Sequence, residues 1–216
     1  MQTLGLSSSP RPTDGLFKRL FWPEIANQYD VDLVGQQGFW VCLAVAVLSM
    51  VVLIWQGQIG FGLLLGSTYF LAALGVRERD IAAAVLIFLC YLLDRIAALE
   101  FAILGMVGGG NSILTTIATM LLFANVRATI LSRRWQTSDT PAEISEFPER
   151  QTSSFSDRIV NQLPAMLWPR TRYVFYPLAT ILLLLSMSGV IGLTMMKHKQ
   201  VQTPNSQKVL PVSPSE

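Results

Sequence analysis

The third of five long apolar runs carries the residues whose types and spacing could do chemistry. They are Tyr91, Asp94, Arg95 and Glu100. Tyr91 lies one helical turn from both Asp94 and Arg95, at spacings i,i+3 and i,i+4. Ionisable side chains inside an apolar span are costly, so they indicate a functional site by default. The alternative is a neutral ion pair that fixes helix packing near the membrane surface.

The fourth apolar run holds two further candidates, Asn125 and Arg127, in LLFANVRATILSRRW at 121–135. Arg127 is either a functional charge or a marker of the membrane boundary, with its guanidinium extended to the head groups. We expect it at the depth of residues 77–80, where Glu78 or Asp80 could pair with it. Asp94 should then be too far away.

The sequence gives little support for an enzyme or for a protein that binds a cofactor. His198 is the single histidine and Cys42 and Cys90 are the two cysteines, both within apolar runs. They are expected to be small buried hydrophobes. No nucleophile elbow, HExxH pattern or paired-cysteine motif occurs, and no surface resembles a nucleic-acid site. We therefore expect a non-catalytic protein with no cofactor, no metal and no nucleic-acid partner.

The elements that carry these residues are predicted to be membrane-spanning helices. The 216 residues are 51% hydrophobic and 14% charged, whereas soluble domains carry about 25% charged residues. Runs of about 20 apolar residues cross a bilayer as helices. They lie at 39–55, 59–76, 81–99, 113–131 and 173–196. The predicted fold class is an all-α, polytopic bundle with five spans.

Two short amphipathic helices are predicted to lie in the head-group plane, at 15–25 and 153–168. The second should point Phe155, Ile159 and Leu163 towards lipid or protein and end at Pro164. Near the C-terminal end of each segment, two apolar residues are followed by Trp and Pro: Leu20-Phe21-Trp22-Pro23 and Met166-Leu167-Trp168-Pro169. The tryptophan of each stretch is expected at the interface.

The chain is therefore divided into five parts. Residues 1–38 form a cytoplasmic segment with the first interfacial helix, and 39–135 form a four-helix membrane core. Residues 136–172 are a cytoplasmic linker with the second amphipathic helix. Residues 173–196 are the fifth span and 197–216 a flexible external tail.

The distribution of Lys and Arg predicts the orientation. With the N-terminus in the cytoplasm, the inner side carries twelve of the 16 basic residues. The outer side carries only Arg95, Lys197, Lys199 and Lys208. This bias follows the positive-inside rule, so we expect a cytoplasmic N-terminus and an external C-terminus.

Small residues at four-residue spacing indicate close helix packing. Gly62 and Gly66 form one such pair, and Ser188 and Gly192 form another. In lipid, small residues let two helices approach closely. Each pair is either a packing face within the chain or a contact between copies.

Residues 61–135 resemble a type of small bacterial inner-membrane protein of unknown function. The resemblance rests on three stretches: GVRERDIAAA at 75–84, YLLDR at 91–95 and NVRAT at 125–129, with QGFW at 37–40 before them. It covers a third to a half of the chain and implies a bacterial inner membrane with no assigned activity. It also draws attention to Asn125 and Arg127.

Two functions remain open. The first is a non-catalytic membrane protein, an accessory or scaffold subunit, whose partners are the bilayer and a homo-oligomer or larger membrane complex. The second is a small transport or conduction element in which Asp94, Arg95, Glu100 and Arg127 line a polar path. A membrane-embedded enzyme acting on lipid would need a nucleophile or metal set that we do not find.

Overall fold

The computed structural model describes residues 24–103, 112–137 and 155–202, and these form five α-helices. Each helix is long and apolar enough to cross a membrane. The predictions of an all-α fold and of five helices that could span a membrane are thereby confirmed, and the described residues contain no strand. The helices are α1 Gln28–Trp55, α2 Ile59–Arg77, α3 Ile81–Ile103, α4 Ser112–Thr137 and α5 Phe155–Gln202.

Helix α1 begins at Gln28, well before the apolar run that starts at residue 39. A capping box fixes its start: the Asp30 amide donates to the Asn27 side chain, and the Asp30 carboxylate accepts from the Asn27 amide. Such reciprocal bonds satisfy N–H groups that the first helical turn leaves unpaired. The early start places Asp32 on the helix, where its carboxylate bonds to Arg77.

The connection between α1 and α2 is a tight turn. Gly57 adopts a left-handed conformation there, with φ of 78°, which glycine takes without steric cost. The two helices form an antiparallel hairpin. We call the end of the bundle near this turn the Gly57 end and the opposite end the Arg77 end.

Helix α2 lies at the centre of the bundle. It packs on α1, α3 and α5, while α4 closes the bundle against α1 and α3. Half of the apolar window of α2 is buried, more than in any other described span. Alanines and glycines permit this close packing. The fully buried core includes Phe39, Tyr69, Ala72, Ala73, Leu74, Ala83, Ile87 and Phe175.

The predicted interfacial helix at 153–168 is wrong as a separate element. Residues from Phe155 onward belong to α5, a single helix of 48 residues that contains Pro164, Pro169 and Pro177. At 1.5 Å per residue it is about 72 Å long, far more than the roughly 30 Å hydrocarbon core. Pro164 therefore does not end a helix.

Individual side chains of this segment explain the difference. Ile159 and Leu163 pack against the core, and Val160 is fully buried, whereas Phe155 is exposed. Trp168, expected at the interface, is buried against Gly75. The segment is thus held by the bundle. The other predicted interfacial helix lies almost entirely outside the described residues, and its last two residues are not helical.

Candidate functional site

The polar residues predicted on α3 form a local pair. The Arg95 Nε donates to Asp94 Oδ2 at 3.1 Å, and Nη2 bonds to the same oxygen. The guanidinium stacks on the Tyr91 ring, 5.2 Å from its centroid. Both charged side chains are about two-fifths exposed, and Tyr91 is buried edge-on against Tyr69. Opposite charges thus neutralise each other on one helix.

Asn125 lies near the other end of the bundle. It is 1% exposed, and its Nδ2 donates to the Val34 carbonyl at 3.3 Å. A Cβ on Gly38 would lie 2.6 Å from Asn125 Nδ2 and 2.9 Å from Val76 Cγ1. Because glycine has no Cβ, the Asn125 side-chain amide fits between α1 and α2. Arg127, two residues further on and half-buried, follows on the Arg77 side.

The six predicted site residues therefore divide between two places. On α1, Asn125 is level with Gly38, whereas Arg95 is level with Leu48 and Ser49. Ten residues of helix separate those levels by about 15 Å. Glu100 lies more than one turn beyond Arg95 on α3 and is partly exposed. The structure does not gather these side chains into one site.

A cluster that the sequence analysis did not single out joins three helices at the Arg77 end. Arg77, at the end of α2, is 1% exposed. It donates from Nη1 to Asp32 Oδ1 at 2.8 Å and from Nη2 to Oδ2 at 2.9 Å. This forked geometry is the strongest that a guanidinium and a carboxylate make. It fastens α2 to α1.

The same guanidinium reaches α5. Its Nη2 donates to Asn161 Oδ1 at 2.5 Å, and its Nε donates to the Val160 carbonyl at 3.2 Å. Residue 164 is a proline, so it has no N–H to offer the Val160 carbonyl four residues earlier. Arg77 supplies the donor that the helix lacks. We call Asp32, Arg77, Arg79, Val160 and Asn161 the Arg77 cluster.

Arg79 belongs to the cluster and has a backbone conformation that is unusual for a residue other than glycine. Its φ is 59°, in the left-handed region. The Arg79 amide bonds to the Val76 carbonyl and the Asp80 amide to the Gly75 carbonyl, the Schellman pattern that commonly ends a helix with glycine. Here the arginine side chain bonds to Asp32 Oδ1 at 2.7 Å. That contact offsets the cost of the conformation.

Asp80 completes the turn between α2 and α3. Its Oδ1 accepts from the Ala83 amide at 3.2 Å and so caps α3. Its Oδ2 accepts from the Tyr176 hydroxyl at 2.8 Å, which ties α5 to the same turn. Gln28 and Ser132 exchange two hydrogen bonds between α1 and α4 nearby. Every helix is therefore held by polar bonds at the Arg77 end.

The chemistry of the Arg77 cluster is structural in kind. One carboxylate faces two guanidinium groups, and the Asn161 side-chain amide and the backbone carbonyls of Asp32 and Val160 also accept from Arg77. Within the described ranges, no group of histidine, cysteine or acidic residues could hold a metal ion. Cys42 and Cys90 are buried and unoxidised, in keeping with a packing role.

An apolar crevice lies between α1, α3 and α4 towards the Gly57 end. Its volume is about 270 Å³. We call it the Arg95 crevice. Its lining includes Val41, Ala44, Leu48, Ser49, Tyr91, Arg95, Leu114, Thr115, Ala118 and Leu121. It is separate from the Arg77 cluster, and neither Asn125 nor Arg127 reaches it.

The two small-residue pairs have different surroundings. A Cβ on Gly62 would lie 3.2 Å from Leu53, and one on Gly66 would lie 3.1 Å from Met50, so this pair packs α2 on α1 within the chain. A Cβ on Gly192, or on Gly189 beside it, would meet no atom within 4 Å, and Ser188 is exposed. The pair on α5 thus lies on a surface that the described chain does not cover.

A signal for the Arg77 cluster was present in the sequence. Asn27 and Asp30 have the spacing of a capping box, which predicts a helix start at Gln28. A helix from there brings Asp32 to the level of Arg77 in the neighbouring antiparallel helix. No local pattern pointed to Asn161, because its partner is 84 residues away.

Comparison of the chain with protein-family models, with curated proteins and with solved structures finds no match. The resemblance to small bacterial inner-membrane proteins stays a prediction, and the arrangement of residues alone supports the proposals below.

Proposed function

We propose that the chain is a non-catalytic membrane protein of the bacterial inner membrane, an accessory or scaffold subunit that binds a partner through α5. The observation that carries this proposal is the uncovered surface of α5 beyond Leu182. Among the side chains of α5 that the structure describes, Leu182 is the last that is buried, and large apolar side chains after it are exposed: Leu184, Leu185, Met187, Ile191 and Met195. The small residues among them leave room for another helix to approach.

The bonding of the Arg77 cluster supports the same proposal. Its charges are used within the chain, where they fasten α1, α2 and α5 to one another. A buried ion pair of this kind favours a single arrangement of helices over alternatives. The Arg77 cluster holds the helices together at one end of the bundle, and α5 leaves one of its surfaces uncovered. This arrangement suits a scaffold.

The orientation follows from the charge distribution. The Arg77 end carries Arg77, Arg79, Arg133 and Arg134, whereas the loop at the Gly57 end has no charge. Basic residues collect on the cytoplasmic side of inner-membrane proteins. We therefore assign the Arg77 end to the cytoplasm, with the N-terminus on that side.

Conduction is the second candidate, and the Arg95 crevice is the observation that favours it. A polar path would need Asp94, Arg95, Glu100 and Arg127 along one line. Of these four residues, only Arg95 lines the crevice, and Asp94 neutralises it. This arrangement favours the scaffold role.

Flux through reconstituted vesicles separates the two candidates. Purified full-length protein in liposomes should pass protons, potassium and chloride no faster than protein-free liposomes. The matched variants are Arg95→Gln, in the crevice, and Arg133→Gln, an exposed arginine at the Arg77 end. A flux that the wild type carries, that Arg95→Gln removes and that Arg133→Gln retains would establish conduction and overturn the scaffold proposal.

A further inference from the structure

The Arg95 crevice lies between α1, α3 and α4, on the Gly57 side of the point where α1 and α4 touch. At Gly38 the two helices touch, since a Cβ there would overlap Asn125. One turn further along α1, the face made by Val41, Ala44 and Leu48 turns towards α4. Ala44 and Ala118 present only methyl groups to the gap. The space between the helices therefore remains unfilled.

The polarity of the lining changes along the length of the crevice. From Val41 to Ser49 on α1 the crevice extends about 12 Å along the helix axis. Its deep end is lined by aliphatic side chains such as Val41 and Leu121. Its end nearer Gly57 adds Ser49, Arg95 and Thr115. The polar groups thus lie on the side nearer the membrane surface.

The crevice also opens at the protein surface. Leu48 and Leu114 line it, and each is 56% exposed. In a membrane that opening faces lipid. A ligand can therefore enter sideways from the bilayer.

A lipid matches this gradient. Its acyl chain runs along the membrane normal and requires an apolar slot, and its head-group oxygens lie at the surface and accept hydrogen bonds. Guanidinium groups bond phosphate and carboxylate oxygens well. Asp94 offsets the charge of Arg95, so the site binds through hydrogen bonds more than through net charge. Arg95 has five N–H donors, and its two bonds to Asp94 use two of them.

We propose that the Arg95 crevice holds part of one acyl chain of a membrane phospholipid, with the phosphate oxygens of that lipid bonded by Arg95. The chain lies along the slot between Ala44 and Ala118. Arg95 lies at the polar end of the crevice, which is the end nearer Gly57. Asp94 and the Tyr91 ring orient its guanidinium. The site does not depend on the scaffold role, because it lies on α1, α3 and α4 and not on α5.

Native mass spectrometry of the delipidated full-length protein tests the site. The probes are phosphatidylglycerol, which has a phosphate head, and oleate, which has a carboxylate. We expect one phosphatidylglycerol bound per chain, whereas retention of oleate alone would show that the occupant is a fatty acid and not a phospholipid. Ala118→Leu fills the slot and should weaken retention about tenfold. The matched control is Ala98→Leu, on an exposed position of α3, which should bind as the wild type does.

The role of Arg95 needs a second pair of variants. Arg95→Gln should also weaken retention about tenfold, the effect of losing a charge-assisted bond. Arg133→Gln removes an equal charge elsewhere and should change nothing. The proposal is overturned if phosphatidylglycerol is not retained or oleate alone is retained, if Ala118→Leu binds as Ala98→Leu does, or if the two arginine variants behave alike.

Discussion

Arg77 donates its Nε hydrogen to the Val160 carbonyl, an acceptor left without its usual helical partner because residue 164 is a proline. The bond is 3.2 Å long and joins residues 83 apart in the sequence. It explains how α5 continues through Pro164. A side chain from another helix satisfies the backbone where the helix cannot, as buried membrane helices require.

Arg77→Lys should destabilise the protein although it keeps the positive charge. Lysine has one nitrogen, so it cannot bond both Asp32 oxygens, Asn161 and Val160 together. We expect a loss of about 2 kcal/mol in the free energy of unfolding. Unfolding in mixed micelles measures it. Arg133→Lys, on an exposed arginine, is the control and should be neutral, and equal stability of the two variants would contradict the structural role of the cluster.

Two opposing effects act at Arg79: its left-handed backbone conformation destabilises the protein, and its bond to Asp32 stabilises it. Arg79→Ala removes the bond to Asp32 and keeps the left-handed strain, whereas Arg79→Gly removes both. The glycine variant should therefore be more stable than the alanine variant by about 1 kcal/mol. The same unfolding assay decides. An alanine variant as stable as the glycine variant would show that φ at residue 79 changes when the side chain is lost.

Gly75 should not tolerate a methyl group. A Cβ there would lie 2.5 Å from Trp168 Cη2 and 2.7 Å from Ala83 Cβ. Overpacking of this kind costs about 1–3 kcal/mol, more than the gain in helix propensity. Gly189→Ala is the matched control, since a Cβ there meets nothing, and it should be neutral or stabilising. A stable Gly75→Ala protein would mean that Trp168 does not occupy this position.

The proposed orientation is testable with reporter fusions. Alkaline phosphatase, which is active only outside the cytoplasm, should be active when fused after Glu216 and inactive when fused after Trp135. The reason is the charge bias between the two sides. Green fluorescent protein at the same sites supplies the reciprocal readout. Activity of the phosphatase after Trp135 would reverse the topology.

The five spans were predictable from the sequence because the hydrophobicity of successive residues adds up along each apolar run. Each run of apolar residues contributes in the same direction, and no single contact decides the outcome. The spacing of Gly62 and Gly66 likewise placed both on one face, but it did not decide between packing within the chain and a contact between copies. Fold class therefore followed from composition and period.

The Arg77 cluster was not predictable in the same way. Arg77 stood in a basic turn and was counted only as a topology signal, whereas its partners Asp32 and Asn161 are 45 and 84 residues away. Pro164 was expected to end a helix by a local rule, and a distant donor overrides that rule. Asp94 and Arg95 attracted notice for their position in an apolar run, yet they pair with each other on one helix.

The size of the complex extracted from native membranes tests the scaffold account most directly. Wild-type protein in mild detergent should migrate as an assembly larger than one chain with its micelle. Gly192→Leu places a bulky side chain on the uncovered face of α5, where the chain itself offers no clash, and should reduce the particle to a single chain. Gly60→Leu, at an equally open position on α2, should leave the assembly intact. A wild-type protein that is already monomeric, or a Gly192→Leu assembly of unchanged size, would contradict the account.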